Sequence, residues 1–153
     1  MAREIDVVRF VRLFGDKPMR LPDGDVIGST GDDWPVVLET MRTAGWRIEL
    51  YEYELEPDVD GRVGVATEHA AVWPASAVQV NFFPGDGGVA FDIDLREFTD
   101  QRAADGLAAL IRLVSRTTGR DIAIREEGSS GEVVLTYSGS TDEFTFRSTP
   151  LSY

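Results

Sequence analysis

Val78-Gln-Val-Asn-Phe-Phe-Pro-Gly-Asp-Gly-Gly-Val-Ala-Phe-Asp-Ile-Asp-Leu95 is the stretch on which the fold turns. Two runs rich in β-branched and aromatic residues, Val78 to Phe83 and Val89 to Leu95, flank Pro84-Gly-Asp-Gly-Gly88, whose residues suit a tight chain reversal. The spacing predicts an antiparallel hairpin. In its second arm Phe91, Ile93 and Leu95 alternate with Asp92, Asp94 and Arg96, so one face is apolar and the other polar. A sheet with one oily face needs a cover on that side only.

The same alternation recurs downstream, where Phe144 and Phe146 oppose Glu143, Thr145 and Arg147. Strands are predicted over Asp121 to Glu126, Glu132 to Tyr137 and Glu143 to Arg147, separated by the turn clusters Gly128-Ser-Ser-Gly131 and Ser138-Gly-Ser-Thr-Asp142. Upstream, Trp46 to Leu55 reads as a strand whose apolar parity changes. Trp46, Ile48 and Leu50 share one face and Tyr51, Tyr53 and Leu55 the other, which a bulge near Leu50 would reconcile.

Two amphipathic helices supply the cover. The first runs roughly from 33 to 44: Asp32 and Asp33 offer capping carboxylates, Pro35 sits in the first turn, Trp34, Val37, Leu38 and Met41 share a face, and Gly45 ends it. The second carries the stripe Ala104, Leu107, Leu110, Ile111 and Val114 between a candidate Thr99 cap and Gly119. Residues 5–14 suit a helix or a strand equally. Residues 15–31 read as a turn-rich loop with room for one short strand, and His69 falls in a further loop before the hairpin.

These elements predict an α+β fold of two layers: a mainly antiparallel sheet of about six strands with two amphipathic helices on one face. One domain spans 1–153, with an N-terminal element and loop over 1–31, a helix-strand unit over 32–98 and a second over 99–147. Ala44-Gly-Trp-Arg-Ile48 and Thr118-Gly-Arg-Asp-Ile122 join helix to strand in the same way, which suggests a duplicated helix-plus-three-strands unit.

The composition narrows the chemistry. A chain of 153 residues, 42% hydrophobic and 27% charged, is long enough to bury a core of its own. It has no cysteine, which excludes disulfides, thiolate metal sites and cysteine nucleophiles. With 15 basic and 27 acidic residues the net charge is −12, which disfavours phosphate backbones and anionic lipid and favours a basic partner. The start, Met-Ala-Arg-Glu-Ile-Asp, is unlike a signal peptide and no apolar run reaches the ~18 residues of a membrane span, so the expected compartment is the cytoplasm.

The densest cluster is Glu52, Glu54, Glu56, Asp58 and Asp60, with no basic residue among them. Alternation places the three glutamates on one strand face about 7 Å apart, which reads either as an edge strand protected from aggregation or as a docking surface for a basic protein. A calcium loop fits the first half of Glu56-Pro-Asp-Val-Asp-Gly61 but fails at Thr67, where its bidentate glutamate would stand. Asp92 and Asp94 share a strand face. They would form a metal or acid-base site only if Glu52 or Glu54 converged on them. No cofactor is implied.

His69 is the single histidine, too few for a multi-histidine metal site, and Ser129-Ser130 lacks the strand-turn-helix context of a nucleophile elbow. Gly85-Asp-Gly-Gly88 lacks the lysine and helix of a phosphate loop. Trp34 and Trp46 fall on core-facing patterns, which leaves Trp73 uncommitted. The expected function is therefore a non-catalytic acidic module that docks a basic protein through Glu52 to Asp60 and the polar sheet face. Immunity proteins that neutralise bacterial toxins and export chaperones are comparable by class alone. The alternatives are a carboxylate-based metal-dependent enzyme or sensor using Asp92 and Asp94, and a homodimeric structural domain.

Overall fold

A computed structural model describes residues 2–14, 21–53, 59–61, 67–85, 87–127 and 131–151. In chain order the elements are α1 (Val7–Leu13), β1 (Asp23–Val26), a 3-10 turn (Gly31–Asp33), α2 (Trp34–Thr43), β2 (Arg47–Tyr53), β3 (Thr67–Ala75), β4 (Val78–Gly85), β5 (Gly88–Asp94), α3 (Gln101–Thr118), β6 (Ile122–Arg125), β7 (Val133–Ser138) and β8 (Glu143–Phe146). The strands form one sheet in the order β2-β3-β4-β5-β1-β6-β7-β8, and every neighbouring pair is antiparallel.

The fold is α+β with one antiparallel sheet, but among the described residues it has eight strands and three helices rather than six and two. Residues 5–14 hold α1, started by the Asp6 carboxylate, which accepts from the Arg9 amide at 2.8 Å. The first helix-strand unit contains four strands and the second three, so their matching joins do not extend to matching units. Asp100, not Thr99, caps α3, its carboxylate accepting from the Ala103 amide at 2.9 Å. No bulge breaks β2: its register with β3 is continuous from Arg47 to Tyr53, and Arg47, Glu49 and Tyr51 face away from the helices.

Two strands are weakly marked in the sequence because neighbours, rather than their own residues, make them strands. Asp23-Gly-Asp-Val26 is the short strand for which the turn-rich loop over 15–31 left room, and it lies between β5 and β6 in mid-sheet. Gly24 sits beneath the Phe91 ring, where a Cβ would stand 2.1 Å from ring carbons, so only glycine lets β1 pass under that core aromatic. Thr67-Glu-His-Ala-Ala-Val-Trp-Pro-Ala75 is weakened as a strand signal by alanine and proline. Pro74 is accommodated where the β3–β4 register shifts between Val72 and Ala75. His69 therefore lies on a strand, not in a loop.

The helices cover one face. Trp34 of α2 packs on Phe82 of β4 at 5.4 Å between ring centroids, and Phe82 on Phe91 of β5 at 5.3 Å. The Trp34 indole donates to Glu68 of β3 at 2.9 Å, which satisfies its N–H at the edge of the core. α3 crosses β3 closely, because a Cβ on Gly106 would stand 2.8 Å from that of Ala75. α1 is clamped to the start of α3 by Gln101, which accepts from the Val7 amide and donates to the Ile5 carbonyl. Its Phe10 packs on Phe98 at 5.3 Å. Each large side chain buried here stabilises by about 1.5–3 kcal/mol relative to exposure, so the apolar face, not surface charge, holds the sheet to the helices.

Candidate functional site

The face of the sheet opposite the helices has no element of the described residues laid across it. Register sets its side chains in rows. One row runs Glu49, Ala71, Asn81, Asp92, Asp23 and Arg125, from β2 across to β6. Beside it Tyr51 lies opposite His69, Phe83 opposite Ala90, and Ala90 opposite Asp25. The His69 ring stacks on Phe83 at 4.4 Å and 22°, and Tyr51 approaches the other side of His69 at 5.4 Å. Tyr51 and Phe83 are 43% and 45% exposed, so an aromatic strip lies open beside a line of carboxylates.

Asp92 occupies the middle of that line and is half-buried. Burial pushes its carboxyl above the usual range, the charges of Asp23 and Asp94 push the same way, and the Asn81 amide and His69 oppose them. The Asn81 side chain donates to Asp92 at 2.7 Å and itself accepts from Gln79 at 2.9 Å. Asp94 behaves in the opposite way although it shares the face: the bonds from Arg96 hold it low, against its burial. The Arg96 guanidinium donates to both Asp94 oxygens, at 2.6 to 3.0 Å.

Among the described residues, two hollows on this face can be placed. One, of about 380 Å³ at the β3–β4 turn, includes Trp73, Gln79, Asp94, Arg96 and Glu97 in its walls. Trp73, the tryptophan without a core-facing pattern, carries the Arg47 guanidinium over its ring at 4.2 Å. The other, of about 360 Å³, lies over β1 and β5. Ala90 leaves its floor low and the Gly24 backbone adjoins it, with Phe83 on one side and Asp23, Asp25 and Arg125 on the other.

The carboxylates do not meet as the sequence reading required. Glu52 is exposed on β2, an edge strand, and its register partner is Glu68 on the helix side of the sheet. It faces away from Asp92 and Asp94. Asp60 lies exposed in a turn, while Glu54, Glu56 and Asp58 lie outside the described residues. The third carboxylate beside Asp92 is instead Asp23, supplied by the strand hidden in a turn-like sequence. Among the described residues no group of three or more histidine or carboxylate side chains is arranged to hold a metal ion. No described helix is long and apolar enough to cross a membrane.

No protein-family model, curated protein or solved structure matches the chain.

Proposed function

We propose that the chain is a non-catalytic binding module whose bare sheet face docks a basic protein. The observation that carries this reading is the juxtaposition, on one open face, of the Tyr51-His69-Phe83 strip with Asp23, Asp25 and Asp92. Aromatic rings flanked by charge suit an interface core inside a polar rim. A net charge of −12 draws a basic partner in and speeds encounter, and the acidic run Glu52, Glu54, Glu56, Asp58 and Asp60 contributes to that charge. Self-association through the same face would set like charges together, so the homodimer is the weaker reading. A catalytic Asp92-Asp94 pair is weakened by Arg96, which engages both Asp94 oxygens.

The test is capture of a partner from a lysate of the source cell, followed by cross-link mapping on the purified pair. The expected result is one basic protein, released by salt, whose cross-links fall beside β1, β4 and β5. Cross-links confined to the helical face would overturn the reading.

A further inference from the structure

We infer that the hollow over β1 and β5 is an anchor pocket for an arginine side chain of the docking partner, an inference that rests on the binding-module reading above. The argument starts from what is missing. Ala90 stands between Phe83 and Asp25 in one cross-sheet row, and with only a methyl group there the sheet surface drops into a hollow of about 360 Å³. Phe83 is stacked on its β3 side by His69, and it also lines the hollow on the β5 side. Its 45% exposure marks a ring surface still open to a second partner.

The opposite wall is charged. Asp23 and Asp25 of β1 line the hollow, with Asp92 next to Asp23 across the β1–β5 pair. Arg125 is the one cation among the lining residues, so the carboxylates outnumber it. A guest that fits needs a long apolar stem for the Ala90 floor, a planar face for Phe83 and a delocalised positive charge for two carboxylates. Arginine combines these; lysine lacks the plane, and an apolar side chain would desolvate the carboxylates without supplying a countercharge. The same surface already seats arginine over an aromatic ring once, with Arg47 on Trp73.

The probe is a 12-residue arginine-rich peptide, titrated at low salt into the isotope-labelled full chain and followed by amide resonances and calorimetry. The expected result is saturable binding with the largest shifts at Gly24 and Ala90. Ala90→Phe fills the hollow without changing charge and should weaken binding at least tenfold while the melting temperature holds. Asp25→Asn should weaken it severalfold. Glu39→Gln, the same charge change on α2, should leave it within twofold, and Arg125→Gln should tighten it. If Ala90→Phe disturbs folding, Phe83→Ser applies the same test from the other wall. Peptide binding unaffected by a folded blocking variant, or shifts gathered at Glu52 and Asp60, would overturn the pocket and leave the docking reading standing. Absence of any saturable binding would overturn the pocket; cross-links of a captured basic protein confined to the helical face would overturn docking with it.

Discussion

Asp92 shows how two acids of one strand face diverge when their surroundings differ. Its carboxyl is raised chiefly by burial, with Asp23 and Asp94 adding repulsion, whereas Arg96 holds Asp94 low. The consequences for stability have opposite signs. For Asp92 the folded state binds the proton more tightly than the unfolded chain, so its contribution is full below the ordinary aspartate value of about 3.9 and is lost as pH rises through the folded value. For Asp94 the contribution is present above about 3.9 and is lost as pH falls through its lowered folded value. Asp92→Asn keeps an oxygen for the Asn81 amide and removes the half-buried charge, so it should raise the melting temperature at pH 7 by about 1–3 °C. That advantage should shrink as the pH is lowered through the folded Asp92 value and vanish below about 4. Thermal melts by circular dichroism from pH 3 to 8 measure both effects, and a variant that melts lower at pH 7 would contradict this account.

At the scale of elements, the contact of α3 with β3 determines how closely the helical layer approaches the sheet. Gly106 is an expensive residue inside a helix, and alanine there should gain about 1 kcal/mol from propensity. Its Cβ would stand 2.8 Å from that of Ala75, a short side chain on a strand that cannot swing aside. The clash should prevail: Gly106→Ala is expected to destabilise by about 1–2 kcal/mol, and adding Ala75→Gly should recover most of the loss, a coupling that denaturant melts of the double-mutant cycle would reveal. Such close contacts also explain which elements were legible from sequence. The β4–β5 hairpin, α2, α3 and the β6–β7–β8 meander carry their own periodicity and turn residues, and sequence alone places them. β1 and β3 do not, because Gly24 and Ala75 are small for what lies against them, Phe91 and α3, and small residues carry weak strand signals. The candidate site was legible only in part for the same reason. Alternation exposed Asp92 and Asp94, but pairing Asp92 with Asp23 and His69 with Phe83 needed strand order, which periodicity does not encode.

For the whole molecule, the charge of −12 should make folding and the proposed docking respond to salt in opposite directions. In the isolated chain, like charges on a compact body repel, and salt also weakens attractions, of which Arg47 with Glu49 and Arg42 with Glu39 are exposed surface pairs. Exposed pairs of this kind contribute about 0–1 kcal/mol each. Repulsion should therefore outweigh them. Raising sodium chloride from about 0.01 to 0.3 M shortens the screening length from about 30 Å to under 10 Å and should raise the melting temperature by a few degrees. The proposed association with a basic protein would draw on the same field with the opposite sign, so its affinity should fall at least tenfold over that range, mainly through slower association. Parallel measurements by scanning calorimetry and surface-immobilised binding separate the two responses. A melting temperature that falls with salt would show that attractive pairs dominate the fold, and an affinity indifferent to salt would move the source of binding from the carboxylates to the Tyr51-His69-Phe83 strip alone.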